Sequence, residues 1–166
     1  MRNEKVIFTT QAALIAALYV VLTLLANALG LANYAVQVRF SEALTVLPFF
    51  TPAAIPGLTI GCVLSNLLTG CLPLDILFGS IATLIGAIGT HLLRKYKLAA
   101  PIPPILANTA IVPFILAYVY QFEGSIPYFM ITVGLGEILS CGVLGMILLG
   151  VLMKYRGVIF KPSLFS

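Results

Sequence analysis

Charged residues are scarce in this chain. Asp, Glu, Lys and Arg make up 8% of its 166 residues, whereas 61% are hydrophobic and the mean hydropathy is +1.12. Soluble domains usually carry about 25% charged residues. The shortage of charge therefore excludes a soluble globular domain and predicts an integral membrane protein. The net charge of +4 does not indicate nucleic-acid binding, because the Lys and Arg residues mostly flank apolar segments.

The chain also lacks the motifs of familiar catalysts. It contains no Walker A, GxSxG or HExxH sequence, and His91 is its single histidine, for which we expect hydrogen bonding at an interface. The cysteines Cys62, Cys71 and Cys141 have no CxxC or metal-ligand spacing, so we expect small buried residues. These absences predict no catalytic residue, no metal site and no cofactor. Energy for uphill transport would have to come from an ion gradient or from a partner.

The apolar segments predict one all-α transmembrane domain over residues 1–166. A crossing helix needs about 20 apolar residues. We predict six transmembrane helices, at about 8–29, 33–50, 53–69, 74–93, 102–120 and 125–153. The second segment is short, so we expect a short or tilted crossing. With six crossings, every Lys and Arg except Arg39 lies on one side, and the positive-inside rule predicts cytoplasmic termini.

Small residues mark two helices as packing surfaces. In the first helix, Ala12/Ala16 and Ala13/Ala17 form overlapping small-xxx-small pairs, which allow another helix to approach closely. Either packing within this chain or binding of a partner explains them. In the third helix, small residues recur at every fourth position and predict a helix-packing face. They are Ala53, Gly57, Gly61, Ser65 and Thr69.

Ionisable residues at membrane depth are costly, so each is a candidate site residue. Arg39 and Glu42 either form an ion pair that fixes a loop or line an outward-facing pocket with Gln37. Asp75 stands at a helix start, where a carboxylate is also favoured for stability. Glu137 is expected deep in the hydrocarbon region, where a carboxylate must be protonated, paired or next to a wet cavity.

Neutral polar and aromatic residues complete the candidates. Asn66 and Asn108 suit either hydrogen bonds between helices or ligand contacts. Aromatic residues near the outer helix ends suit a membrane-interface belt, although one or two of them could stack on a flat ligand. They are Tyr34, Phe40, Tyr118, Phe122 and Tyr128.

The run from Val38 to Leu58 (VRFSEALTVLPFFTPAAIPGL), continued by Ile60-Gly-Cys62 and preceded by the alanine-rich first helix, resembles a known family. It is similar to the QueT-type queuosine-precursor substrate-binding subunits, or S components, of energy-coupling factor (ECF) transporters. The resemblance extends over the whole chain in length and helix count. It implies a non-catalytic six-helix protein of the bacterial cell membrane.

The family resemblance also implies a ligand and partners. The ligand would be a 7-deazaguanine such as preQ1, preQ0 or queuine. The partners would be a transmembrane coupling (T) component, facing Ala12, Ala13, Ala16 and Ala17, and two cytoplasmic ATPases. Expected ligand contacts are Glu42 and Glu137 as the main acids, with Arg39, Gln37, Asp75, Asn66 and Phe40.

Three alternatives to this interpretation remain. The chain could be an S component for another vitamin. It could also be a self-sufficient ion-coupled carrier or channel that uses Glu137 as a proton or cation site. An enzyme using Glu137 or His91 as acid or base is the weakest alternative, because no nucleophile or metal site stands out.

Overall fold

The computed structural model describes residues 2–31 and 38–159, and the regular structure in these ranges is entirely helical. The predicted residues Tyr34 and Gln37 lie outside the described ranges. Six helices follow one another, two of them with π-helical segments. They are α1 (Arg2–Ala28), α2 (Phe40–Phe49), α3 (Ala54–Leu68), α4 (Pro73–Leu92), α5 (Ile102–Phe114 continued by Ile115–Val119) and α6 (Ile126–Glu137 continued by Ile138–Leu144 and Gly145–Ile159).

Four of these helical stretches are long and apolar enough to cross a membrane. They are Asn3–Ala28, Pro73–Leu92, Lys97–Val119 and Ile126–Gly157, and most of their surface is exposed on the isolated chain. An apolar side chain on such a surface is stable in lipid but not in water. The exposed leucines and isoleucines of α1, α4, α5 and α6 are therefore the membrane-facing exterior.

Helix α2 differs from the predicted segment at 33–50. It extends only over Phe40–Phe49 and is a 3-10 helix, with Pro48 inside it. At about 2.0 Å per residue, ten residues rise about 20 Å, which is less than the hydrocarbon thickness of about 30 Å. Most of its side chains are buried, and it packs against α1, α3, α4 and α6. Helix α2 is thus the centre of the bundle and not a lipid-facing wall.

The predicted small-residue face of α3 is confirmed as a packing surface. A Cβ atom added at Gly61 would lie 2.7 Å from Tyr19 Cβ and 3.0 Å from the Ala16 carbonyl oxygen, and one at Gly57 would lie 2.8 Å from the Ala12 carbonyl oxygen. Carbon atoms in contact are normally about 3.5–4.0 Å apart. Glycine is therefore required where α3 meets α1.

This contact changes the interpretation of the alanine pairs in α1. Ala12 and Ala16 are buried against α3, so they are not available to a partner in this conformation. Ala13 and Ala17, one residue further along, are exposed. Packing within the chain thus accounts for the first pair, while a partner surface stays a prediction for the second.

Two helices contain π-helical segments at the level of the polar core. Pro113 lies within α5, where it removes a backbone donor, and a π-helical turn follows at Ile115–Val119. In α6, the segment Ile138–Leu144 begins directly after Glu137, and Ser140 in it accepts a hydrogen bond from the Arg39 backbone N–H at 3.2 Å. Such segments are frequent at functional sites because they redirect side chains.

Candidate functional site

A cavity of about 580 Å³ opens where α1, α3 and α5 end and where α2, α4 and α6 begin. This volume is within the range of about 300–1,000 Å³ that is typical of small-molecule sites. Its polar and charged lining comes from α1, α3, α4 and α6 and from the segments that connect the helices. These residues are Thr23, Asn27, Arg39, Asn66, Thr69, Cys71, Asp75, Tyr120, Glu123, Tyr128 and Thr132.

A smaller chamber of about 20 Å³ adjoins this cavity further from the open end. Arg39, Asp75 and Val112 line both spaces. The other lining residues come from the middle of the helices and include Glu42, Asn108 and Glu137. A space of this size holds about one water-sized group. The two cavities are thus neighbours that share three lining residues, and the inner one is much the smaller.

The acidic residues of the chain are concentrated in this region. The sequence contains five Asp and Glu residues, and four of them, namely Glu42, Asp75, Glu123 and Glu137, line one cavity or the other. Among the described lining residues, Arg39 carries the only positive charge. Four carboxylates against one guanidinium give a formal charge of −3 in a protein whose net charge is +4. The low-dielectric walls strengthen the attraction of such a site for a cation.

Glu42 is held in place by neighbours from several helices. Its side chain is 2% exposed, and its carboxylate accepts hydrogen bonds from Tyr19 Oη at 2.5 Å and from Asn108 Nδ2 at 3.5 Å. Its backbone carbonyl accepts from Thr45 Oγ1 at 2.6 Å. These bonds satisfy a carboxylate that would otherwise be costly to bury. In the described part of the chain no direct salt bridge joins Glu42 to Arg39, so of the two alternatives the structure favours residues that line a pocket over an ion pair in contact.

Glu137 lies next to Glu42. It is 8% exposed, and its Oε2 atom accepts a hydrogen bond from Cys141 Sγ at 3.1 Å. Ligand atoms of Glu42, Glu137 and Cys141 all lie within 4.8 Å of one another. Two carboxylates this close repel each other strongly in a medium of low dielectric constant. A proton, a metal cation or a positively charged group of a ligand would relieve that repulsion.

Arg39 is the counterpart of these acids. Its side chain lines both cavities, and its guanidinium makes no hydrogen bond to the described residues that is shorter than 3.5 Å. A guanidinium has five N–H donors in a planar arrangement. Arg39 therefore presents donors toward the cavity, where a carbonyl or other acceptor on a ligand can receive them.

Asp75 is anchored by the segment that follows α5. Tyr120 Oη donates a hydrogen bond to Asp75 Oδ2 at 2.7 Å and accepts a longer one, 3.4 Å, from the Leu72 backbone N–H. Burial raises the pKa of the Tyr120 phenol, and the hydrogen bond to Asp75 adds to this shift. Tyr120 is therefore a neutral donor to Asp75 at physiological pH.

The structure brings five of the seven predicted ligand contacts to the cavities: Arg39, Glu42, Asp75, Glu137 and Asn66. Phe40 does not belong with them, because it is half-buried at the start of α2 and lines neither cavity. Gln37 lies outside the described residues. Ligand binding by these residues stays a prediction.

Two other predicted residues make hydrogen bonds between helices, one far from the cavities and one beside them. His91 is at the opposite end of the bundle, where its Nδ1 and the Pro48 carbonyl oxygen are 2.8 Å apart and its Nε2 lies 3.3 Å from Arg94 Nη1. The carbonyl can only accept, so the proton is on Nδ1. His91 thus joins α4 to α2, and the expected interfacial hydrogen bonding is confirmed. Asn108 contacts Glu42 and lines the inner chamber.

Sequence reasoning missed the contribution of α1 to the site. Tyr19 binds Glu42, Thr23 Oγ1 lies 2.8 Å from Ser41 Oγ, and Thr23 and Asn27 line the outer cavity. Tyr19, Thr23 and Asn27 are spaced four residues apart, which places them on one face of a helix. That spacing in an otherwise apolar helix could have identified these three residues as part of the site from the sequence alone.

The helices and the cavity together define a multi-pass membrane protein with an internal, acid-lined cavity of small-molecule size. A model of the QueT transporter family matches residues 9–154, so the chain belongs to that family. This confirms the resemblance drawn from the sequence and the location in the cell membrane. The family is one of transporters, which agrees with the expectation that the chain is not an enzyme.

A similar protein is the queuosine precursor transporter QueT of Lactococcus lactis subsp. cremoris (strain MG1363). The two chains are 33% identical over 98 residues, which cover 58% of this chain and 57% of the relative. The match thus spans little more than half the length of that protein. No solved structure shows a significant match to the chain.

Proposed function

We propose that this protein is the substrate-binding subunit of an ECF-type importer and captures a queuosine precursor, a 7-deazaguanine, outside the cell. Membership of the QueT transporter family supports transport, and the name of the Lactococcus relative suggests the substrate class. The acid-lined cavity suits such a ligand. In this proposal the chain crosses the membrane six times, with α2 as a short, central crossing.

The distribution of charge supports an outward-facing cavity. The described cations outside the site lie at the end of the bundle opposite the cavity, and they include Lys5, Arg94, Lys97 and Lys154. Positive residues prefer the cytoplasmic side of a membrane. This preference supports the proposed orientation, with both termini in the cytoplasm and the mouth of the cavity outside.

The observation that carries the proposal is the gathering of four of the five acidic residues around the two adjoining cavities. A deazaguanine presents a ring N–H and an exocyclic amino group as adjacent donors, which match a carboxylate, and a carbonyl that matches Arg39. In preQ1 an aminomethyl group adds a positive charge. Glu42 and Glu137, whose carboxylates repel each other, supply the complementary negative charge.

Equilibrium binding of preQ1, preQ0 and queuine to the purified full chain tests the proposal, with guanine and thiamine as competitors. We expect Glu137→Gln to weaken preQ1 binding by about 10- to 150-fold, which corresponds to one charged hydrogen bond. Glu4→Gln is the matched control, because Glu4 is exposed at the start of α1 and outside both cavities. It should bind like the wild type.

Two outcomes would contradict this function. If no deazaguanine binds, the substrate assignment fails, and binding of another vitamin would favour the alternative of a different S component. If an imposed ion gradient drives uptake of the ligand into vesicles that contain only this chain, the chain is a self-sufficient carrier. In the proposed importer, uptake requires a coupling component and the ATPases.

The exposed alanines of α1 are the proposed contact for the coupling component. Ala13 and Ala17 are exposed one helical turn apart, so another helix could approach the backbone of α1 there. Ala12 and Ala16 are already covered by α3 and act indirectly, by fixing the position of α1. The contact is thus assigned to one of the two predicted alanine pairs.

A further inference from the structure

The segment between α5 and α6 forms part of the cavity lining through Tyr120, Phe122 and Glu123. Its backbone is tied to α5, since the N–H groups of Tyr120 and Phe122 donate to the carbonyls of Ile115 and Leu116, both at 3.1 Å. Gln121 between them has a φ of 52°, a left-handed conformation that turns the chain sharply. The segment is therefore a defined turn that directs the Tyr120 and Phe122 side chains to the same side.

The two aromatic rings are stacked at the edge of the cavity. Their centroids are 5.6 Å apart, their planes differ by 23°, and both side chains line the cavity. The hydrogen bond from Tyr120 to Asp75, 2.7 Å long, fixes the tyrosine ring against α4. Asp75 thereby holds the tyrosine ring in place. The sequence alone did not indicate a contact between these two residues.

A second stacked aromatic pair, on α5, serves as a comparison for the pair that lines the cavity. Phe114 and Tyr118 are also stacked, with centroids 6.4 Å apart and planes 10° apart. Phe122 is 53% exposed and Phe114 is 47% exposed, so exposure does not separate the two pairs, but Phe114 and Tyr118 line neither cavity. Two stacked pairs on the same stretch of chain thus have different surroundings, and only the Tyr120–Phe122 pair adjoins charged groups.

We propose that Tyr120 and Phe122 form a stacking platform for a planar heteroaromatic ligand and that Asp75 is a positioning residue, which acts by holding Tyr120. This inference rests on the proposed function, since it assigns specificity for a flat ring to the same cavity. Glu123, the next residue, also lines the cavity and offers a carboxylate beside the platform. A ring stacked on Phe122 therefore has an acceptor for its donors within the same turn.

The absence of tryptophan from the sequence permits a direct test. Phe122→Trp in the full-length chain introduces a single tryptophan into the platform, and Tyr118→Trp introduces a single tryptophan into the exposed pair as the matched control. Titration with preQ1 should change the emission of the first variant in a saturable manner and leave the second unchanged.

Affinity measurements distinguish aromatic stacking on the ligand from simple occupation of the cavity by an apolar side chain. Phe122→Leu keeps an apolar side chain but removes the aromatic face, and it should weaken preQ1 binding by about 5- to 150-fold. Phe122→Tyr should restore near wild-type affinity. Tyr120→Phe retains the ring but loses the hydrogen bond to Asp75, so its effect and that of Asp75→Ala, which removes the acceptor, should be similar and should not add in the double variant.

The outcomes distinguish the platform from the substrate assignment. If the wild type binds preQ1 while Phe122→Leu binds equally well and the emission of Phe122→Trp does not respond, the platform is refuted and the proposed function stands. If the wild type binds no deazaguanine, the same tryptophan variant is titrated with guanine, thiamine and riboflavin. A saturable response to one of them supports the platform, and no response to any of them refutes it.

Discussion

The close approach of α1 and α3 predicts that a single methyl group at Gly61 affects both stability and the site. In Gly61→Ala the added carbon would lie 2.7 Å from Tyr19 Cβ, although such atoms are normally about 3.5–4.0 Å apart. The two helices, or Tyr19 itself, must then move by about 1 Å. Overpacking of this kind lowers the free energy of unfolding by about 1–3 kcal/mol.

The displacement would also be transmitted to Glu42. Tyr19 Oη lies 2.5 Å from Glu42 Oε1, and O–H···O hydrogen bonds rarely exceed about 3.0 Å. A shift of about 1 Å would therefore break this bond and release the Glu42 carboxylate from its position beside the inner chamber. We expect weaker preQ1 binding from a substitution that lies outside both cavities.

Thermal unfolding in detergent measures the effect on stability. A maleimide dye that fluoresces on reaction with thiols reports unfolding, because Cys62 and Cys141 are buried in the folded chain. For a chain of this size, a loss of about 1–3 kcal/mol lowers the melting temperature by about 2–12 °C. Gly150→Ala is the control, since nothing lies within 4 Å of a Cβ atom at Gly150 in α6. Equal melting temperatures and equal binding for the two variants would refute the tight α1–α3 contact.

Three further predictions concern single residues. Ala17 is exposed, so Ala17→Leu should leave the melting temperature and ligand binding unchanged but prevent co-purification with the coupling component. Ala16 is buried, so Ala16→Leu should lower the melting temperature. Co-purification of the coupling component with Ala17→Leu would contradict the proposed contact. Tyr19→Phe should destabilise the chain by about 1.5–3 kcal/mol through loss of the hydrogen bond to Glu42, while Tyr118→Phe, at an exposed position, should not. A water-soluble maleimide should modify Cys71 faster than Cys141, with preQ1 slowing the reaction, because Cys71 lines the outer cavity and Cys141 is buried. Equally slow labelling of the two peptides in mass spectrometry would contradict an open cavity.

The sequence predicted the helices best where backbone chemistry marks their ends. Helix α4 begins at Pro73, one residue before the predicted start, and α3 lies within one residue of its prediction at both ends. Proline and glycine act locally, so their effects can be read without the fold. Helix α2 could not be read in this way, because an apolar 3-10 helix buried by its neighbours has the same composition as a crossing α-helix.

The charged residues of the site could be predicted from the sequence, whereas the aromatic residues that form the proposed platform could not. Arg39, Glu42, Asp75 and Glu137 stand out because ionisable residues are rare in an apolar chain. Phe122 was only one of several aromatics near helix ends, and Phe40 resembled it in sequence although it lines neither cavity. Which of them faces the cavity depends on the turn at Gln121 and on the packing of α5 against α6.

The burial of α2 has a consequence for biogenesis. A helix that rises about 20 Å is too short to span the hydrocarbon region, and its buried polar residues Ser41, Glu42 and Thr45 have hydrogen-bond partners on other helices. Some of its partners, including Ser140 and Cys141, are synthesised about 100 residues later. Although α2 is synthesised near the start of the chain, it therefore cannot complete its contacts until α6 has been made and inserted.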